Sequence, residues 1–179
     1  MNKLASAALF AFTLLAFPLV PACTDDDGGA AEDLEMTAED FECILDWPKV
    51  DRFRILNKLG HQEEAEAVAR AADGGVYPVG TVIQLIPFEA MVKRHEGWNP
   101  ATGDWEFFML DVSADGTTIA ARGGEEVKNP MVEFTCLDCH SQAEPKFDMV
   151  CNSGHGCDPL PFTPEQIEAV QQSDPRCQQ

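Results

Sequence analysis

Cys136-Leu137-Asp138-Cys139-His140 lies late in the chain, and its reading decides what the residues before it are folded to hold. C-x-x-C-H is the attachment signal for c-type haem. Two thiols three positions apart reach the two haem vinyl groups as thioethers. The next residue, His140, falls beneath the iron as axial ligand. Two blander readings compete. Half a zinc site would want two more ligands at similar spacing, and the chain has no second C-x-x-C. A thioredoxin-like pair belongs after a strand early in a βαβ unit, not near the end of a chain. Covalent haem, one per chain, is therefore the expectation, with Cys136 and Cys139 as attachment points and His140 as the iron ligand.

At the other end, residues 1–22 read as an export signal. Asn2-Lys3 gives a short positive start, and Ala5 to Val20 is apolar without charge. Leu19-Val20-Pro21-Ala22-Cys23 then resembles a bacterial lipoprotein signal, with cleavage before Cys23 and lipid on its thiol and new amino group. Pro21 departs from the usual residue there, and ordinary secretion with cleavage after Ala22 is the alternative. A membrane-spanning anchor is disfavoured by the short run and by Pro18 and Pro21. The expected location is the periplasmic face of a bacterial membrane, the outer membrane before the inner.

Export gives the remaining cysteines a role. Cys43, Cys151, Cys157 and Cys177 are an even number in an oxidising compartment, which suggests two disulfides with three possible connectivities. Cys151 with Cys157 would close a small loop, and Cys43 with Cys177 would then tie the ends of the domain; the rival pairings stay open. His155 inside that loop reads as a solvated histidine.

The chain of 179 residues has a net charge of −19, and nine of its acids lie between Asp25 and Glu42 with no basic residue among them. Residues 23–37 are read as an acidic flexible tether holding residues 38–179, a single domain, off the membrane. This charge argues against nucleic acid and would suit a basic redox partner.

Within the domain the pattern is mixed α and β. Thr37-Ala38-Glu39-Asp40 resembles a capping box opening a helix through Ile44-Leu45 that stops before Pro48. His61 to Ala72, rich in Ala and Glu and followed by Gly74-Gly75, reads as a helix. Gly80 to Ile86 and Glu89 to Arg94 read as strands. Asn99 to Asp104 is a turn feeding the aromatic strand Trp105-Glu106-Phe107-Phe108-Met109-Leu110, and Asp115-Gly116 turns into Thr117 to Ala120. The haem motif follows Pro130 on a short helix.

A strand-rich body followed by a late C-x-x-C-H resembles the cytochrome P-460 family and its relative cytochrome c′-β. The resemblance rests on Gly80-Thr81-Val82, Glu89-Ala90-Met91-Val92-Lys93, Asp104-Trp105-Glu106-Phe107-Phe108, Cys136 to His140 and Lys146-Phe147-Asp148-Met149-Val150, in the family's order. It implies an α+β fold, an antiparallel sheet flanked by helices with one haem c against the sheet. His140 would be proximal, and the opposite iron face open to NO, CO or hydroxylamine. Phe107, Phe108 and Arg54 are the distal candidates it suggests. Leu85 stands where hydroxylamine-oxidising members carry a lysine crosslinked to the haem, and Lys93 matches a different position. That shifts the expectation from hydroxylamine oxidation toward ligand binding.

The alternative is a His/Met-ligated electron carrier, with Met149, Met109 or Met131 closing the sixth position. Either reading allows as partners a small gaseous or nitrogen-oxide ligand, a redox protein, a membrane reached through lipid, and a second copy in a homodimer.

Overall fold

Alternation along the strands builds two apolar faces here, and both are covered. The computed structural model describes residues 33–130 and 134–177. The export signal, Cys23 and Met131 lie outside them. Six strands form one antiparallel sheet in chain order: β1 (Lys49–Val50), β2 (Phe53–Asn57), β3 (Thr81–Gln84), β4 (Glu89–Lys93), β5 (Trp105–Ser113) and β6 (Gly116–Gly123). Among the described residues three α-helices accompany them: α1 (Gln62–Arg70), α2 (Cys136–His140) and α3 (Pro164–Gln172). This is an α+β fold. Among the described residues no helix is long and apolar enough to cross a membrane.

Successive strand residues point to opposite faces. On one face Phe53 and Ile55 of β2, Ile83 of β3, Met91 of β4 and Trp105, Phe107 and Met109 of β5 form a core with Ala65 and Ala69 of α1. On the other, Val82, Ala90, Val92, Phe108 and Leu110 pack under Met36, Phe41 and Trp47. Trp105–Leu110 is consequently buried at every position, and it is apolar throughout except at Glu106, whose carboxylate is paired with Arg122. Beyond Leu110 the β5–β6 hairpin is more open, after a register shift at Met109/Leu110.

α1 forms where Ala and Glu predicted a helix. Glu63 and Glu64 in its first turn and Arg70 in its last complement the helix dipole, and Ala65 and Ala69, four apart, turn to the core. The helix expected from Thr37 to Leu45 is instead two single 3-10 turns, Ala38–Asp40 and Ile44–Asp46. Tertiary ties override the local pattern. The Ile44 amide donates to Asp174 Oδ2 at 3.1 Å, and Cys43 is disulfide-bonded to Cys177, Cα to Cα 4.8 Å. Arg176, buried and paired with Asp174, donates to the Phe41 carbonyl at 2.9 Å. The segment is thereby clasped over the sheet by the C-terminal residues. Closing so long a loop stabilises the fold by on the order of 5 kcal/mol in the chain-entropy account.

Candidate cofactor-attachment site

α2 carries the C-x-x-C-H motif and is held at its start. Thr135 Oγ1 accepts from the Asp138 amide at 3.1 Å, and the Asp138 carboxylate accepts from the Thr135 amide at 2.8 Å, a reciprocal capping box. The Cys136 amide donates to the Val127 carbonyl at 2.8 Å. Cys136 and Leu137 then pack against the core that contains Phe107 and Met109.

Both motif thiols are free, Cys136 half-buried and Cys139 exposed. Burial pushes the Cys136 thiol up to about 12, and the Glu89 carboxylate adds to the shift. Cys139 is raised as well, by burial and then by Asp138, Glu89 and Asp158. Thiol exchange and zinc ligation both need a stabilised thiolate. Here the surroundings keep these sulfurs protonated. Among the described residues no group of three or more His, Cys, Asp or Glu side chains could hold a metal ion.

His140 has a fixed tautomer. Its Nδ1 lies 2.8 Å from the Met149 carbonyl, which can only accept, so Nδ1 carries the proton and Nε2 keeps its lone pair. Burial lowers the imidazole pKa, against the opposing pull of that hydrogen bond, favouring the neutral form that ligates metals. Phe107 touches the ring, centroids 5.2 Å apart and tilted by 40°. In this arrangement Phe107 buttresses the imidazole itself.

The other distal candidates lie elsewhere. Phe108, one residue along, faces the opposite side of the sheet, 5.1 Å from the Phe41 ring with the Arg122 guanidinium over it at 4.9 Å. Arg54 is consumed by Gln171 Oε1 at 3.0 Å and the Trp47 carbonyl at 3.2 Å. Neither joins His140. Leu85, just past β3, packs against the motif-face core. Its aliphatic side chain offers no nucleophile there.

The structure also brings in Glu89, which the sequence reading did not single out, and gives Lys93, Met149 and Met109 their surroundings. Glu89 opens β4 on the motif face, where burial pushes its carboxyl up to about 7; Asn129 Nδ2 donates to it at 2.7 Å. Lys93, four residues on, binds both Asp148 carboxylate oxygens at 2.8 Å and the Gly103 carbonyl at 2.7 Å. Positions 89, 91 and 93 share one strand face, so alternation outward from Met91 was the available signal. Met149 stands behind His140, its carbonyl on Nδ1, with its sulfur against Gly103, where an added Cβ would lie 3.0 Å away. Met109 stays on the motif face, buried beside Phe107.

Cys151 and Cys157 form the second disulfide, Cα to Cα 5.7 Å, and His155 within that loop donates from Nδ1 to the Val150 carbonyl at 2.6 Å. His155 also stacks on Phe147, ring centroids 3.6 Å apart, so it is packed into the loop's support. Two surface cavities lie away from the motif: about 530 Å³ beside Lys49, Arg70, Lys146 and His155, and about 810 Å³ beside Glu39, Glu42, Asp46 and Arg176. Among the described residues neither gathers three side chains that could hold a metal ion. The chemistry therefore concentrates at α2.

The donor set fits haem c: two reduced thiols on one helical turn, an imidazole with Nε2 available, and an apolar core beneath. Comparison with protein-family models, with curated proteins and with solved structures finds no match.

Proposed function

We propose that this chain is an exported c-type haem protein whose single haem is held by Cys136 and Cys139 and ligated by His140, with the other iron face open to small neutral ligands. The observation that carries the reading is the His140 imidazole, fixed in the ligating tautomer by the Met149 carbonyl and set one residue after a pair of protonated, unbridged thiols. The bound haem would supply reversible binding and redox chemistry of NO, CO or related nitrogen oxides.

The chain's own residues do the rest. Phe107, Met109 and Leu85 keep water from the motif face, which favours neutral diatomics over charged ligands. Glu89 holds a proton that it can release near neutrality. The cytochrome P-460 and c′-β resemblance supports this reading. Leu85 has no nucleophile and the Lys93 amine is taken up by Asp148, which disfavours a lysine-crosslinked, hydroxylamine-oxidising centre. Lipidation at Cys23 would place the domain on the periplasmic face of a membrane.

The test is expression with a c-type maturation system, followed by denaturation and extraction with acidified organic solvent. Haem should stay on the polypeptide, and Cys136→Ala with Cys139→Ala should abolish it. Haem that leaves the wild-type chain overturns the proposal. Reduced protein should be high-spin and take up CO and NO. A low-spin spectrum indifferent to CO identifies the electron-carrier alternative, with a methionine as the second iron ligand.

A further inference from the structure

Met149 and its predecessor Asp148 are both left-handed, at φ 61° and 49°, and neither is glycine. Side chains other than glycine pay for that backbone, Met more than Asp, so something must hold it. Asp148 is gripped on three sides. Its carboxylate takes both bonds from Lys93 and one from the Tyr77 amide at 2.9 Å, and its carbonyl accepts from Trp105 Nε1 at 2.7 Å. Lys93 is itself anchored by the Gly103 carbonyl, and Gly103, at φ 58°, leaves the space in which the Met149 sulfur rests. What this arrangement delivers is a single oxygen: the Met149 carbonyl, 2.8 Å from His140 Nδ1.

We propose that Lys93 and Asp148 are positioning residues for the His140 ligand, acting through Asp148-Met149 to hold the carbonyl that sets the imidazole's tautomer and its strength as a donor. The inference deepens the haem reading and rests on it for its functional meaning. A hydrogen bond at Nδ1 makes Nε2 a stronger donor to a metal, and such outer partners act on a site through the ligand they orient. The clamp comes from β4 and from the loop after the motif, 55 residues apart, so sheet and ligand are locked to each other. It also gives the buried Lys93 amine a task other than bonding to a cofactor.

The test begins on the full-length chain prepared without haem maturation, by ¹⁵N spectra of the His140 imidazole. Wild type should show one tautomer with a slowly exchanging Nδ1 proton. Lys93→Met should populate both tautomers and exchange that proton faster, and Lys93→Arg should restore the wild-type pattern. Should Lys93→Met fail to fold, Asp148→Asn is the second variant, keeping an oxygen acceptor but losing the ion pair, and should give a partial version of the same change.

In matured protein, the iron–histidine stretch of the reduced form should move to lower frequency and the midpoint potential should rise in Lys93→Met, with recovery in Lys93→Arg. A folded Lys93→Met or Asp148→Asn chain with the wild-type His140 spectrum overturns the proposal. Because the imidazole spectrum needs no haem, failure of the clamp and failure of the haem reading are told apart.

Discussion

The two faces of the sheet are built from adjacent residues of the same strands, yet they are closed in different ways. The far face is sealed by its own chain: Met36, Phe41 and Trp47 lie over Val82, Val92 and Phe108, and its charges answer one another. Glu106 takes Arg122 at 2.7 Å and lies 3.6 Å from Arg94, which also reaches Asp33 at 3.3 Å. The motif face is covered by α1, through Ala65 and Ala69, together with the helix that carries the reactive groups, through Cys136 and Leu137. Its buried or half-buried strand charges among the described residues are Lys93, spent on Asp148, and Glu89, which has an amide partner and no cation. One face is finished as structure; the other keeps thiols, an imidazole and a proton-holding carboxyl under an apolar core. The difference lies in single-residue alternation, so paired substitutions on neighbouring residues can break it.

The largest effect is expected from Phe107→Ala and Phe108→Ala taken as a pair. Both side chains are essentially fully buried, and truncating either should cost about 3–5 kcal/mol in chemical denaturation. The stability losses should be similar and the local consequences opposite. Phe107→Ala removes the ring against His140 and should alter the imidazole's spectrum and its ligation. Phe108→Ala opens a cavity under Phe41 and should leave His140 unchanged. Equal disturbance of His140 by both variants would erase the functional distinction between the faces.

That distinction was half legible in the sequence. The C-x-x-C-H motif, the α1 helix and strands β3 to β5 announce themselves through spacing, composition and β-branched runs. The alternation rule already says that Phe107 and Phe108 cannot share a face, but not which one meets the motif. β1 escaped because it has only two residues, and β2 because Arg54 in Phe53-Arg54-Ile55 reads as a distal candidate and not as the polar position of an alternating strand; its partner, Gln171, lies 117 positions away. α3 escaped although Thr163, Pro164 and Gln166 spell a helix start, since the segment was read only for its cysteines. The helix expected at Thr37 was drawn from a real capping box, which the disulfide and the Arg176 clasp then limited to a single turn. Lys93 with Asp148 depends wholly on the fold, because no local signal links two residues on different elements.

The next largest effect is a pH dependence confined to the motif face. Glu89 ordinarily titrates at 4.5, and in the folded protein at about 7. Below pH 4.5 both folded and unfolded chains carry the proton, and the residue contributes nothing. As pH rises from 4.5 toward 7 the unfolded chain releases its proton while the folded one retains it. Stability therefore falls across that window and levels off above it. The full loss is on the order of 3 kcal/mol, at 1.36 kcal/mol per pH unit of displacement. Glu89→Gln should flatten this part of the profile and be the more stable protein at pH 8. Denaturation midpoints of the two proteins at pH 4.5, 5.5, 7 and 8 measure it; parallel curves would show that the carboxyl is not held in its acid form.

The smallest effect separates two helix starts that are chemically alike. Thr135 caps α2 and Thr163 caps α3, each by a hydroxyl accepting the amide three residues on, at 3.1 and 3.3 Å, with a reciprocal side chain from Asp138 or Gln166. Replacing either by Ala should cost about 1 kcal/mol, the usual worth of such a cap. α3 has nine residues and buries Ile167 and Gln171, so losing its cap should fray one turn and be felt no further. α2 has five residues, all of them the motif, none fully buried, and only the half-buried Cys136 and Leu137 hold its first turn to the core. The same loss should therefore reach Cys136, Cys139 and His140 together. Thr135→Ala is expected to speed alkylation of Cys139 and hydrogen exchange of the α2 amides, and to lower the yield of covalent haem, while Thr163→Ala matches wild type in all three. An equal stability cost with an unequal effect on the motif would show that the capping box of α2 orders the attachment site as well as stabilising the fold; identical behaviour of the two variants would mean that packing against Phe107 and Val127 holds the motif without it.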